Sequence, residues 1–134
     1  MSALSNAVSI LRWLRHHGPE AGVTEVAQAL DLPKSTASRV LKDMAAHGLL
    51  ERDPATARYR VGILLLEVGR HYAAGQPLLE AADTAMAELT RRTGHATGIS
   101  QLDGTEIVVL RSRAGTRPLR VVTPPGNRGP AWAT

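Results

Sequence analysis

At 134 residues the chain has room for one ordinary domain or two small ones. Hydrophobic residues make up 43% and charged residues 21%, which suits a folded soluble protein and excludes a disordered one. Cysteine is absent, excluding disulfides and thiolate chemistry, and the net charge of +4 permits nucleic-acid binding without locating it: residues 1–62 and 63–134 each hold eight Lys+Arg and six Asp+Glu.

Phe is absent and aromatics are only 3%, so the cores must be built from Leu, Val, Ala and Ile. The start Met1-Ser2-Ala3 lacks the basic and apolar regions of a signal peptide. No apolar run approaches the ~20 residues that span a bilayer. A cytoplasmic protein with no membrane partner is expected.

In chain order, Ser5 is the expected N-cap of a helix over about Asn6 to His17, with Val8, Leu11 and Leu14 as its apolar stripe and Ile10 and Trp13 beside them. An aromatic on such a stripe reads as core or dimer contact before anything functional. Gly18-Pro19 ends the helix, and Pro19-Glu20-Ala21-Gly22 reads as loop. Thr24 then stands as N-cap of a short helix over Glu25–Leu30, which buries Val26, Ala27 and Leu30. Asp31-Leu32-Pro33 breaks the pattern, and Pro33 suits the first turn of a helix from Lys34 to about His47 that Gly48 stops.

In this last helix Ala37, Val40, Leu41 and Met44 fall at i, i+3, i+4 and i+7, so they share one face. Ser35, Ser38, Arg39 and Lys42 repeat that spacing two residues earlier, about 200° round the helix. One face packs. The other carries hydroxyls, a guanidinium and an ammonium that can donate to phosphates and base edges. The pair of helices reads as a helix-turn-helix whose second member is the recognition helix.

Leu49–Arg52 and Arg58–Val61 flank the turn Asp53-Pro54-Ala55-Thr56-Ala57 and predict a β-hairpin, with Arg58 and Arg60 on one face of its second strand. A hairpin directly after a helix-turn-helix is a wing, and alone it would be marginal in water. Ile63–Tyr72 is apolar and helix-compatible, interrupted by Gly69 and Gly75-Gln76-Pro77. The next helix, about Leu78 to Arg92, places Leu78, Ala82, Ala85 and Leu89 on one stripe with Met86 adjoining, and Gly94 closes it. Ala96–Leu102 and Glu106–Arg113 flank the turn Asp103-Gly104-Thr105; Ile107–Leu110 suits a buried strand, and Leu119-Arg120-Val121-Val122 a third.

The run Leu32–Gly62, LPKSTASRVLKDMAAHGLLERDPATARYRVG, resembles the winged helix-turn-helix of the isocitrate lyase regulator (IclR) family of bacterial transcription factors, and the resemblance begins at Leu4–Leu11 and continues past the wing. It implies an α+β protein: a winged helix-turn-helix DNA-binding domain over 1–62, a linker helix over 63–76, and over 77–134 the beginning of a mixed α/β effector-binding domain. It further implies a sequence-specific regulator without cofactor. The expected partners are a palindromic double-stranded DNA operator, a second copy of the chain in a homodimer or dimer of dimers, and a small-molecule effector such as a carboxylic or aromatic acid. Ala57 stands where the family's turn has Gly; a left-handed conformation there would cost ~1 kcal/mol, so another wing-tip shape is expected. Ala131 and Trp132 replace the family's usual Leu and His, and about half of the expected effector domain does not follow, which reads as a fragment.

For DNA, Ser35, Thr36, Ser38 and Arg39 are the candidates for base edges and nearby phosphates, because the N-terminal turns of such a helix enter the major groove. Lys34 and Lys42 suit phosphates, Thr24 the backbone beside its cap, and Arg58 and Arg60 phosphates or the minor groove. A polar helix face and a basic hairpin are also what solvated surfaces look like; helix pair, Pro-Lys-Ser-Thr start and wing together favour DNA. The effector-binding residues are not assigned. Arg111, Arg113, Arg117 and Arg120 would attract an anion but read first as a solvated sheet face. His16, His17, His47, His71 and His95 do not converge as metal ligands, and no Ser stands on a strained nucleophile turn, so no enzyme is expected. The alternative function is a truncated interaction partner that pairs with full-length relatives without binding DNA.

Overall fold

The computed structural model describes residues 2–74, 76–117 and 122–133. The chain divides into two compact units, Met1–Arg70 and His71–Thr134.

The first unit opens with α1 (Ala3–His17). Its N-cap is Ser2 rather than Ser5: the Ser2 hydroxyl accepts the Ser5 N–H at 3.1 Å, so the helix begins one turn earlier than the sequence suggests. The buried stripe is Asn6, Ile10 and Leu14, at i, i+4 and i+8, and Val8 turns outward. Glu20-Ala21, expected as loop, forms a short strand, β1 (Glu20–Ala21). Helix α2 (Val23–Ala29) is capped at Gly22 rather than Thr24, because the Glu25 carboxylate three residues on accepts the Gly22 N–H at 2.9 Å. Asp31 takes φ +51 in the turn that follows, a conformation Asp tolerates better than most side chains.

Helix α3 (Lys34–Ala46) starts at Pro33 and is stopped at Gly48, whose φ of +76 lets the chain reverse without a Cβ clash. Its apolar face is the one expected: Ala37, Val40, Leu41 and Met44 are all buried. They join Ile10, Leu14, Ala21, Val26, Ala27, Leu50 and Tyr59 in one cluster that draws on every element of the unit so far.

The wing is β2 (Leu50–Arg52) against β3 (Tyr59–Val61), antiparallel, and β1 pairs with the other edge of β3 to give the order β1-β3-β2. Glu51 lies opposite Arg60, and Ala21 opposite Tyr59. Tyr59 reaches the core, whereas Val61 is exposed. At the tip the Asp53 carboxylate accepts the Ala55 N–H at 2.7 Å. Contrary to expectation, Ala57 adopts the left-handed conformation, φ +58. Two backbone bonds, Ala57 N–H to Asp53 C=O at 2.9 Å and Asp53 N–H to Arg58 C=O at 2.8 Å, over-determine the turn and hold it there.

Gly62 then passes against the end of α3. Its N–H donates to Leu49 C=O at 2.9 Å, and a Cβ at this position would lie 2.2 Å from the Gly48 carbonyl oxygen. Helix α4 (Ile63–Ala74) follows; Gly69 lies inside it and does not interrupt it.

The second unit contains α5 (Pro77–Thr93), which ends at Gly94. Its buried stripe is Leu79, Met86 and Thr90; Leu78, Ala85 and Leu89, expected inside, are exposed. With Leu or Ala on several faces of this helix, the hydroxyl pair between Thr90 and Thr97, 2.9 Å apart, marks the face that meets the sheet. That sheet has the order β4-β5-β6, from β4 (Thr97–Asp103), β5 (Glu106–Arg113) and β6 (Arg128–Pro130), all antiparallel. Ile107–Leu110 are half-buried rather than buried. The third strand is β6; of the expected Leu119–Val122 strand, residues 119–121 lie outside the described residues, and Val122 is in no strand. Arg128 pins β6 to the hairpin, with Nε 2.8 Å from Glu106 and Nη2 2.6 Å from Asp103.

Candidate nucleic-acid interface

The polar face of α3 is opposite its buried face, as the spacing requires. Lys34, Ser35, Arg39 and Lys42 are exposed, and Thr36 and Ser38 are half-buried at the same helix's start. Among the described residues no carboxylate lies within ion-pair distance of Lys34, Arg39 or Lys42, so all three charges are available to a ligand. Pro33 offers no side chain to cap the helix, which leaves the first amides of α3, carrying the positive end of the helix dipole, without a side-chain partner in the same turn as Lys34 and Ser35. Thr24 is exposed in the first turn of α2.

The wing arginines are placed differently. Arg58 does not stand free: Nη1 and Nη2 donate to the two oxygens of Glu25 at 3.0 and 2.8 Å, and Nη2 reaches Glu20 C=O at 3.3 Å. Its Nε lies 3.9 Å from the Glu20 carboxylate. This is a bidentate guanidinium–carboxylate pair joining the wing to the first turn of α2. The Arg58 side chain and the Gly22 N–H hold the Glu25 carboxyl down to about 2 from 4.5, and the same pairing raises Arg58. His17 Nε2 stands 3.5 Å from the same Glu25, and its ring stacks on Trp13 at 3.9 Å. Arg60 donates from Nε and Nη2 to Glu51 across the hairpin at 3.0 and 2.9 Å, yet keeps a 60% exposed side chain.

The sequence expectation therefore separates into two groups. Thr24, Lys34, Ser35, Thr36, Ser38, Arg39 and Lys42 lie on helices of the helix-turn-helix, with the α3 cations unneutralised. Arg58 and Arg60 each carry an internal carboxylate partner. Glu25 was missed as an organising residue, although its place three residues after Gly22 is a capping-box signal. Arg52, exposed on β2 beside the wing turn, was missed as a cation available to a backbone.

In the second unit Arg111 lies 3.6 Å from Asp83 and Arg117 donates to Thr93 C=O at 3.2 Å, so two of the four arginines considered for an anion have partners; Arg120 lies outside the described residues. Among the described residues no three His, Asp or Glu side chains gather as a metal site would need, and no helix is long and apolar enough to cross a membrane.

Residues 3–54 match the family model of the IclR helix-turn-helix domain. Over 134 residues the chain is 29% identical to the HTH-type transcriptional regulator XynR of Escherichia coli K12, covering 100% of this chain and 53% of that protein. It is 27% identical over 132 residues to the HTH-type transcriptional repressor AllR of the same organism, covering 98% and 49%. Among solved structures it resembles an IclR homolog from Microbacterium hydrocarbonoxydans, crystallised with 4-hydroxybenzoate, at a TM-score of 0.80 over 96% of this chain and 53% of that one; the 23% identity supports likeness of fold alone. The chain spans about half the length of the relatives it matches.

Proposed function

We propose that this chain, whose residues 3–54 match the IclR helix-turn-helix family model, binds double-stranded operator DNA as a transcriptional regulator through the polar face of α3. The observation that carries this reading is the unneutralised row Lys34, Arg39 and Lys42 beside Ser35 and Ser38 on a helix whose other face is locked into the core. Ser35, Thr36, Ser38 and Arg39 meet base edges and adjacent phosphates in the major groove; Lys34, Lys42, the first amides of α3 and Thr24 take phosphates. Arg60, exposed on the face of the hairpin away from the buried Tyr59, faces the backbone from the wing, with Arg52 at the edge of the other face.

The binding form is a two-fold symmetric dimer, or a dimer of such dimers. Leu4, Ile63, Leu66 and Val68 are each more than half exposed in the first unit, apolar side chains that a second copy would cover. Symmetry then places half-sites one helical turn, ~34 Å, apart. Residues 77–134 begin the effector-sensing part, and the 4-hydroxybenzoate held by the Microbacterium protein makes aromatic acids the first effector class to try.

Selection from a pool of random duplexes tests the reading. Enrichment of inverted repeats with half-sites about one turn apart supports it; retention of no sequence above the starting pool overturns it. Within the enriched site Arg39→Ala weakens binding and relaxes base preference, whereas Lys42→Ala weakens all duplexes alike.

A further inference from the structure

Helices α1 and α2 and strand β1 meet the wing turn around one charge pair, Glu25 and Arg58. The Glu25 carboxylate, in the first turn of α2, takes the Gly22 N–H at 2.9 Å and both Arg58 terminal nitrogens at 3.0 and 2.8 Å. Arg58 in turn reaches Glu20, in β1, through the backbone carbonyl at 3.3 Å. His17, the last residue of α1, stands 3.5 Å from Glu25 on the other side. Arg58 is the residue that joins the wing turn to β3, directly after the left-handed Ala57. The backbone of Arg58 closes the wing turn on Asp53, while its side chain leaves the wing altogether and grips the helix-turn-helix.

We propose that Arg58 and Glu25 form a positioning latch that sets the wing against the helix-turn-helix, so that Arg58 acts on DNA only through where it holds the wing and touches none itself. The inference rests on the DNA-binding reading above and deepens it. A guanidinium with its two terminal nitrogens on one carboxylate and a further bond to a carbonyl has most of its five donors committed. Releasing it to a phosphate would leave Glu25 beside DNA without its cation. The sheet pairing alone is a weak anchor, because β1 gives β3 only two residues and β2 three. The latch supplies the side-chain tie that this small sheet lacks, and it ties the wing to α2, against which α3 packs. Arg60 and Arg52, one on each strand of the wing, are then presented at a fixed distance from the recognition helix.

The substitution Glu25→Gln separates the possibilities by sign. It keeps an oxygen to accept the Gly22 N–H, so the helix cap survives, and it removes the charge that holds Arg58. Affinity of the full chain for a mixed-sequence duplex is measured over a salt series, with amide hydrogen exchange on the free chain. The latch predicts that Glu25→Gln binds the duplex about threefold to fivefold more weakly, and that Arg58→Met does the same with an unchanged salt slope. The double variant is no worse than either single one. Exchange at Tyr59 and Arg60 speeds up while α3 amides stay protected. If Arg58 instead contacts phosphate, Glu25→Gln frees a cation and tightens binding, and Arg58→Met flattens the salt slope by about 0.9; either result overturns the proposal. Wild-type chain that binds no duplex defeats the DNA-binding reading and not the latch, which the exchange experiment still decides. Unchanged exchange in the wing of Glu25→Gln overturns it.

Discussion

Gly62→Ala is the sharpest test of how the wing hands the chain on to α4. A Cβ built at Gly62 lies 2.2 Å from Gly48 O, 2.9 Å from Leu49 C and 3.0 Å from Gly48 C. An ordinary carbon–oxygen contact is about 3.3 Å, so one backbone segment must yield by roughly 1 Å. All three contacts are main chain, and Gly48 is itself fixed by its φ of +76 at the end of α3, so no side chain can swing away. Overpacking of this kind costs about 1–3 kcal/mol. Moving Gly62 also strains its 2.9 Å bond to Leu49 C=O, worth about 1 kcal/mol. The sum, roughly 2–4 kcal/mol, is a large share of the ~5–15 kcal/mol that keeps a domain folded. For a unit of this size it lowers Tm by roughly 10–25 °C. Thermal unfolding followed by far-ultraviolet circular dichroism reads the shift. Gly69→Ala is the control: nothing lies within 4 Å of its Cβ inside α4, and the change stabilises by about 0.5–1 kcal/mol. If Gly62→Ala melts within about 2 °C of wild type, the close approach and the cost assigned to it are wrong.

Two further outcomes follow from the wing. Ala57→Gly relieves the left-handed strain at φ +58 at some cost in unfolded-chain entropy, so denaturant unfolding should show a net gain of about 0.5 kcal/mol; a loss would mean that the turn is not strained. Glu25 has its carboxyl at about 2 against 4.5 without partners, so its ionised form favours the folded state. That contribution is whole above pH 4.5 and disappears as pH falls through about 2. The stability difference between wild type and Glu25→Gln therefore shrinks in acid; a difference that stays constant from about pH 6 to about pH 2 contradicts the pairing.

The recognition helix was legible because two independent patterns agree in it: the spacing of Ala37, Val40, Leu41 and Met44, and the same spacing of Ser35, Ser38, Arg39 and Lys42 on the opposite side. Helix ends were less so. Ser2 and Ser5 both suit an N-cap, as do Gly22 and Thr24, and the choice turned on which residue the Ser5 amide or the Glu25 carboxylate could reach. β1 has two residues and thus no alternation to detect. α5 carries Leu or Ala on several faces, so its stripe could be placed only by what it packs on, including the Thr90–Thr97 contact with β4. β6 ends in Gly129-Pro130, residues that strands disfavour; Pro fits there because β6 is an edge strand. The partner of Arg58 lies 33 residues away, a separation no local pattern encodes, which is why its pairing with Glu25 was not legible in the sequence.

On the proposed function, α3 supplies the phosphate-binding charge. This is tested most directly by the equilibrium affinity of the chain for a mixed-sequence duplex across a salt series, for wild type and for Lys34→Ala, Arg39→Ala and Lys42→Ala. Binding should weaken steeply with salt, and each lysine removed should lower the slope of log K against log salt by about 0.9. Wild-type affinity that ignores salt, or slopes left unchanged when Lys34 and Lys42 are removed, would contradict it.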